Sequence, residues 1–131
     1  MPLFSIIIPT KNREMYLRQA LQSVLEQSFS DFELIVVDNC STDNTSAFLS
    51  ALNDPRLRVF RQEQAVSMLR NWFTGLQRAS GEFIAFLSDD DWWDKDFLWI
   101  ADQILQASSF VDVLFFDHWM TDHEGRLLIK E

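Results

Sequence analysis

Two runs dominated by apolar residues, Phe4 to Ile8 and Phe32 to Val37, constrain this chain most. Runs of that kind read as strands buried on both faces, the pattern of a parallel sheet. Between them Met15, Leu17, Ala20, Leu21, Val24 and Leu25 recur at helical spacing, which predicts an amphipathic helix. The alternation continues. A second helix is expected through Phe48, Leu49 and Leu52, with Ser41, Thr42 or Asp43 as its N-cap. Leu57 to Phe60 reads as a short third strand. Met68, Leu69, Trp72, Phe73, Leu76 and Ala79 predict a third helix, core by spacing at Met68, Trp72 and Phe73 and closed by Gly81 as a left-handed cap. Phe83 to Leu87 predicts the fourth strand, and Asp94-Lys95-Asp96 opens a fourth helix that carries Phe97, Leu98, Ile100, Ala101, Ile104 and Leu105. Trp99 is expected in the core. Val111 to Phe116 reads as a further strand, and Asp122-His123-Glu124-Gly125 as a hairpin turn into Leu127-Leu128-Ile129, antiparallel to the segment around Trp119 to Thr121. The fold class that follows is α/β: a mostly parallel sheet with right-handed crossovers and helices on both faces, in three α/β/α layers.

Residues 1–131 suffice for one domain with a real core and are too few for two ordinary ones. A net charge of -9 argues against nucleic acid or an anionic membrane surface as the main partner. Cys40 is the single cysteine, so no internal disulfide can form, and a reducing compartment, the cytoplasm, is expected. His118 and His123 lie far from it in sequence, which disfavours a zinc site. The first residues show no basic region followed by a long apolar one, so no signal peptide is expected. No apolar run reaches the length of a bilayer span. Arg126 to Glu131 reads as the middle of a strand, so the chain is expected to be part of something longer.

The polar residues are not scattered. The first strand runs into Pro9, which ends it, and then Thr10, Lys11, Asn12 and Arg13; the second into Asp38 and Asn39; the fourth into Ser88, Asp89, Asp90, Asp91, Trp92 and Trp93. Parallel strands bring these three loops to one edge, the edge where α/β sheets bind ligands. Each loop has an ordinary alternative: a solvated turn after the first strand, or an acidic helix N-terminus after the fourth. Their convergence favours a site. Oxygen ligands suit a hard divalent cation, which often bridges to phosphate oxygens. A carboxylate and a carboxamide at the second strand suit hydrogen bonding to a base or sugar. The set fits a nucleoside diphosphate derivative bound with Mg²⁺ or Mn²⁺. The glycine loops of dinucleotide and triphosphate sites, GxGxxG and GxxxxGK[ST], are absent.

Ser5-Ile6-Ile7-Ile8-Pro9-Thr10-Lys11-Asn12-Arg13, Glu33 to Thr45, and Arg70-Asn71 followed by Ala79 to Trp92 form three segments in fixed order. Together they resemble the family 2 glycosyltransferases of the GT-A (Rossmann-like) fold. The resemblance implies transfer of a sugar from a nucleotide-diphosphate donor, UDP first, to a glycan or lipid-linked acceptor in surface polysaccharide synthesis. It implies roles residue by residue. Asp38 would hydrogen-bond the base, Pro9 and Thr10 would line base and ribose, and Arg70 would stand near the nucleotide. Asn12, Arg13 and Asn39 belong to the same nucleotide-binding loops. Asp89 would sit near the ribose, and Asp90 with Asp91 would bind the metal. The chain departs from the family pattern at Ser88, Asn39 and Cys40, which stand where the family has Asp, Asp and Gly.

The family places its acceptor site and catalytic base in a further half, roughly another hundred residues. The base is therefore expected beyond Glu131, and neither Asp117 nor Asp122 is assigned to it. The longer protein would work at the inner face of the membrane. Two other classes remain. One is a non-catalytic nucleotide-sugar-binding domain. The other is a sugar nucleotidyltransferase, which needs a glycine-rich basic loop that Thr10-Lys11-Asn12-Arg13 does not supply. Trp92 and Trp93 admit either packing or stacking on a sugar ring.

Overall fold

A computed structural model describes residues 1–108, 110–122 and 124–128. The chain divides into two compact units, Met1–Ile100 and Ala101–Glu131.

The first unit is built on four parallel strands: β1 (Phe4–Thr10), β2 (Phe32–Asp38), β3 (Leu57–Arg61) and β4 (Phe83–Phe86), in the order β3-β2-β1-β4. β1 and β2 are buried along their whole length, and Pro9 does not end β1: it lacks a donor but keeps extended backbone, pairs with Val37, and the strand runs on to Thr10. Their register pairs Ser5 with Glu33, Ile7 with Ile35 and Thr10 with Asp38. The connecting helices are α1 (Glu14–Leu25), α2 (Thr45–Ala51) and α3 (Met68–Leu76). Right-handed crossovers that step outward from β1 to β3 put α1 and α2 on one face. The return from β3 to β4, on the far side of β1, puts α3 on the other. The α/β expectation therefore holds, with helices on both faces of an all-parallel sheet.

α1 buries Leu17, Ala20, Leu21 and Val24 and leaves Met15 exposed. α3 departs further from expectation. Met68, Leu69 and Phe73 are exposed, and the residues that α3 buries are Asn71 and Gly75. Periodicity counts apolar side chains, but this helix lies so close to the sheet that a Cβ on Gly75 would stand 2.4 Å from Ile7 Cγ2. A small residue and a hydrogen-bonded carboxamide fit there; a phenylalanine does not. Trp72 finds its own partner, stacking on Phe86 at a centroid distance of 5.0 Å.

Gly81 is also corrected. α3 ends at Leu76, and the glycine with positive φ among the described residues is Gly125. Gly81 is required by close approach instead: a Cβ there would meet Ser5 N at 2.6 Å. The junction before β4 is tied by one carboxylate. Glu33 Oε1 accepts from Ser5 Oγ at 2.6 Å and from the Ser80 amide and hydroxyl at 2.7 Å each, while Oε2 accepts from Arg58 Nη1. Ser5 Oγ in turn accepts from the Gly81 amide at 2.7 Å. Burial works against this carboxylate's charge, but the four donors prevail and hold its pKa at about 2.

The N-cap of α2 is Asn44, one residue past the expected set, with no side-chain cap bond; Asp43 instead accepts from the Thr45 amide. α4 (Phe97–Ala107) forms where its apolar spacing predicted, although Trp99 is half exposed rather than core. In the second unit the expected strand from Val111 to Phe116 is absent: these residues adopt no regular structure. An apolar run becomes a strand only by joining a ladder, and among the described residues this one joins none. The expected hairpin is present in miniature. Thr121 and Leu127 form an antiparallel bridge, and Leu128 N donates to Met120 O at 2.7 Å. His123 and Ile129, also placed in that hairpin by sequence, lie outside the described residues.

Candidate functional site

All four strands point the same way, so their carboxyl ends share an edge. β1 and β4 flank the place where the strand order reverses, the crevice in which open α/β sheets hold ligands. A cavity of about 450 Å³ lies there, walled by the loops after β1 and β4 and by the start of α3. Its lining includes Pro9, Thr10, Arg13, Asn39, Asp89 and Asp90, six of the ten residues singled out in the sequence.

The two carboxylates at its centre are tied to the β1 loop. Thr10 Oγ1 donates to Asp89 Oδ2 at 2.7 Å. Arg13 Nη1 reaches Asp89 Oδ1 at 3.3 Å and Asp90 Oδ2 at 2.7 Å, so one nitrogen bridges both acids. Asp89 is buried and Asp90 exposed. Burial pushes the Asp89 carboxyl above its usual range; Thr10 and Arg13 offset this only in part, and the Asp90 charge adds to the rise. The Arg13 guanidinium is held above its ordinary value, first by Asp89 and then by Asp90.

The remaining four expected residues stand outside the cavity. Asn12 has φ of 52°, a left-handed conformation that Asn tolerates, and clips two loops together. Its amide donates to Ser41 Oγ at 2.9 Å, and its Oδ1 accepts from the Thr42 amide at 2.7 Å. Asp38 is buried behind the wall. Its Oδ1 accepts from the Ser41 amide at 2.9 Å and its Oδ2 from Arg61 Nη1 at 3.0 Å. Arg70 is exposed on α3; its backbone amide donates to Ser67 Oγ at 3.3 Å and its carbonyl accepts from the Thr74 hydroxyl at 3.0 Å. Asp91 is exposed past the turn that its amide closes on Ser88 O.

Asn39 lines the cavity with its carboxamide already engaged. Nδ2 donates to Val66 O at 2.9 Å and Oδ1 accepts from Val66 N at 2.8 Å, which fixes the segment leading into α3. Its neighbour Cys40 sits at φ of 57°. Lys11 and Ser88, from the polar strand ends, complete the lining with Val66, Met68, Asn71 and Trp72, which the sequence reading did not point to. Asn71 is the clearest omission: it is buried, and its Nδ2 donates to Val37 O at 2.9 Å. The signal lay in the Arg70-Asn71 pair, where the charged member drew the assignment.

The donor set fits a hard cation in a limited way. Asp89 and Asp90 supply carboxylate oxygens and Thr10 a hydroxyl. Among the described residues no three His, Cys, Asp or Glu side chains are grouped to hold a metal by themselves. Mg²⁺-type sites commonly rest on one or two carboxylates, with substrate phosphates completing the shell. A second cavity, of about 560 Å³, lies between α1 and Trp92–Trp93; Gln22, Glu26 and Lys95 line it, and no pair of carboxylates converges there.

A sequence model of one family, described as glycosyl transferase family 2, matches residues 5–118. The chain belongs to that family. A relative from Campylobacter jejuni, GalNAc(5)-diNAcBac-PP-undecaprenol beta-1,3-glucosyltransferase, is 42% identical over 94 residues, covering 70% of this chain and 30% of its own length. Among solved structures, residues 1–349 of Staphylococcus aureus TarS in complex with UDP superimpose with a TM-score of 0.75 at 34% identity, over 79% of this chain and 32% of that one. The mannosyltransferase PcManGT from Pyrobaculum calidifontis, in complex with GDP-Man and Mn²⁺, superimposes with a TM-score of 0.72 at 27% identity, again over 79% of this chain and 32% of that one. The neighbours carry the GT-A fold expected from the sequence. The chain spans about a third of the length of some curated relatives it matches and as little as 14% of others.

Proposed function

We propose that this chain is the donor-binding part of a glycosyltransferase that takes a sugar from a nucleoside diphosphate, UDP in first place, and passes it to a hydroxyl of a glycan or lipid-linked acceptor. The observation that carries the reading is the meeting of Asp89 and Asp90 with Thr10 and Arg13 at the strand-reversal edge, in a family 2 chain. The solved neighbours hold UDP in one case and GDP-Man with Mn²⁺ in the other.

The roles follow from position. Pro9 and Thr10 line the cavity on the β1 side and suit the base and ribose. Asn39 and Asn71, each anchored to backbone, shape the wall facing them. Asp38 is proposed to act on the base from behind that wall, where its two oxygens keep lone pairs beyond those that Ser41 and Arg61 use. Asp90, the more exposed acid, with Asp89 beside it, is the proposed holder of Mn²⁺ or Mg²⁺. When bound, that cation would stabilise charge on the departing diphosphate. Asp91 is reassigned from direct metal ligand to the turn that presents Asp90. Among the described residues the cavity lining holds no carboxylate beyond Asp89 and Asp90, and the base that deprotonates the acceptor is proposed to come from outside this span. Among the described residues no helix is long and apolar enough to cross a membrane. Work at the inner membrane face is proposed to rest on other parts of the protein.

Calorimetry tests the reading. The wild-type chain is expected to bind UDP in the presence of Mn²⁺, and Asp90→Ala to lose on the order of tenfold in that affinity or more, about 1.4 kcal/mol. Asp90→Ala with wild-type affinity for UDP and Mn²⁺ would remove the assignment.

A further inference from the structure

We propose that Arg13 is an internal counter-cation: it fills the place between Asp89 and Asp90 until a divalent cation arrives, and then turns to the donor's diphosphate. The proposal rests on the donor-site reading above and deepens it.

The geometry of the bridge carries it. A single nitrogen, Arg13 Nη1, lies 2.7 Å from Asp90 Oδ2 and 3.3 Å from Asp89 Oδ1. That is how a cation shared by two acids sits. The other Asp89 oxygen is taken by the Thr10 hydroxyl at 2.7 Å. Each Asp89 oxygen already accepts one donor, and a metal drawing on both acids meets the Arg13 charge where that one nitrogen bridges them. Arg13 is the one that can leave. Thr10 belongs to β1 and is buried, whereas the Arg13 side chain is 49% exposed on the loop beyond it. Two positive charges cannot share the space between the same two carboxylates, so occupancy by metal and by guanidinium is exclusive.

The displaced guanidinium has a destination. Arg13 and Lys11 line the same cavity as the two acids. A diphosphate entering that cavity meets two negative carboxylates unless cations intervene. The planar guanidinium fork matches phosphate oxygens in bidentate geometry. One side chain thus serves both states: it keeps the acids from repelling each other without ligand, and it grips the donor once the metal has taken its place.

The exchange predicts effects of opposite sign, which a merely structural role does not. Binding of Mn²⁺ alone is read by loss of the free-ion EPR signal, and binding of UDP at saturating Mn²⁺ by calorimetry. Arg13→Gln is expected to bind Mn²⁺ alone roughly five times more tightly, the range set by half-exposed ion pairs, and to bind UDP about tenfold more weakly. Arg13→Lys keeps the charge and is expected to return the Mn²⁺ affinity towards wild type. The α1 backbone does not depend on this side chain, which makes no cap bond; circular dichroism of both variants checks that. Unchanged or weaker Mn²⁺ binding in Arg13→Gln overturns the exchange. Unchanged UDP affinity overturns the transfer to diphosphate. A wild-type chain that ignores UDP, while Arg13→Gln still gains Mn²⁺ affinity, sinks the donor-site reading and supports the exchange at the carboxylates.

Discussion

Gly75→Ala puts the packing of α3 to a test of sign. In an exposed helix, replacing Gly by Ala stabilises by about 1 kcal/mol, because Ala loses less backbone freedom on folding. At this position the added Cβ would lie 2.4 Å from Ile7 Cγ2 and 3.2 Å from Val37 Cγ2. Carbon atoms pack at roughly 3.5–4.0 Å, so α3 or Ile7 must shift by about 1 Å. Ile7 cannot retreat readily: it is fully buried in a cluster with Ile35 and Val37. If α3 lifts instead, the bond from Asn71 Nδ2 to Val37 O, now 2.9 Å, lengthens beyond bonding range. Overpacking costs about 1–3 kcal/mol and the lost bond about 1 kcal/mol. Set against the helix gain, the net is a destabilisation of about 2 kcal/mol.

Urea unfolding followed by tryptophan fluorescence measures it, with an expected fall in midpoint of about 1 M for a chain of this size. The cause is separable by a second substitution. Ile7→Leu removes the β-branch methyl that clashes while keeping volume, and alone should cost under about 1.5 kcal/mol. Gly75→Ala with Ile7→Leu should recover at least half of the loss, a coupling expected only for residues in contact. UDP affinity should fall in the single variant and return in the double, since Asn71 and Trp72 line the cavity one turn earlier on α3. A Gly75→Ala chain as stable as wild type, or a cycle with no coupling, would refute the close-approach argument.

Two further expectations concern the frame around the site. Glu33 is held near pKa 2 against an ordinary 4.5, so its stabilising share is complete above the ordinary value and is lost as pH falls through 2. It amounts to about 3 kcal/mol at neutral pH, of which about 2 kcal/mol is gone by about pH 3; Glu33→Gln should remove that part of the acid sensitivity in denaturant titrations at the two pH values, and an unchanged slope would contradict it. Cys40 carries a left-handed φ of 57° that costs a side-chain-bearing residue about 1–2 kcal/mol, so Cys40→Gly should raise the thermal midpoint by a few degrees after Gly's own entropy cost, and a lower midpoint would show that the thiol contributes packing that outweighs the strain.

The strands were legible because burial on both faces writes itself as mostly apolar runs: Phe4 to Ile8 and Phe32 to Val37 became β1 and β2, although β1 continues through Pro9, which was expected to end it, to Thr10. The polar strand ends were legible for the same reason: Asp38 follows its run directly, and Thr10 and Asp89 stand one residue beyond theirs, after Pro9 and Ser88. What stayed hidden depended on partners distant in sequence. Nothing near Asp38 announces that Arg61 will pair with it, or near Asn39 that Val66 will occupy its carboxamide. The buried face of α3 was hidden differently. A hydrophobic pattern points to Met68 and Phe73, while the residues that α3 buries are Asn71 and Gly75, which suit the close approach by reaching a strand carbonyl and by small size. Val111 to Phe116 failed because strand propensity is a property of a sequence, and a strand is a property of a pair.

These hidden partners change what the edge residues are for. Each loop of the crevice is fastened to another before any ligand arrives: the β1 loop to the β2 loop through Asn12 and Thr42, the β2 loop to the segment before α3 through Asn39 and Val66, and the β1 loop to the β4 loop through Thr10, Arg13, Asp89 and Asp90. Binding a flexible diphosphate costs least when the receiving groups are already in place. Residues that a motif marks as contacts can therefore act by holding other contacts, as Asn12 does from outside the cavity. The exception is instructive. Asn12 and Asn39 bind backbone with neutral amides, whereas the fastening of the β4 loop includes an exposed, charged pair, Arg13 with Asp90. A bond between opposite charges in contact with water is the one a competing cation can exchange. The crevice is thus fastened by neutral amides on the β2 side and by an exposed ion pair at Asp90, the division of labour that the proposed metal-assisted donor site needs.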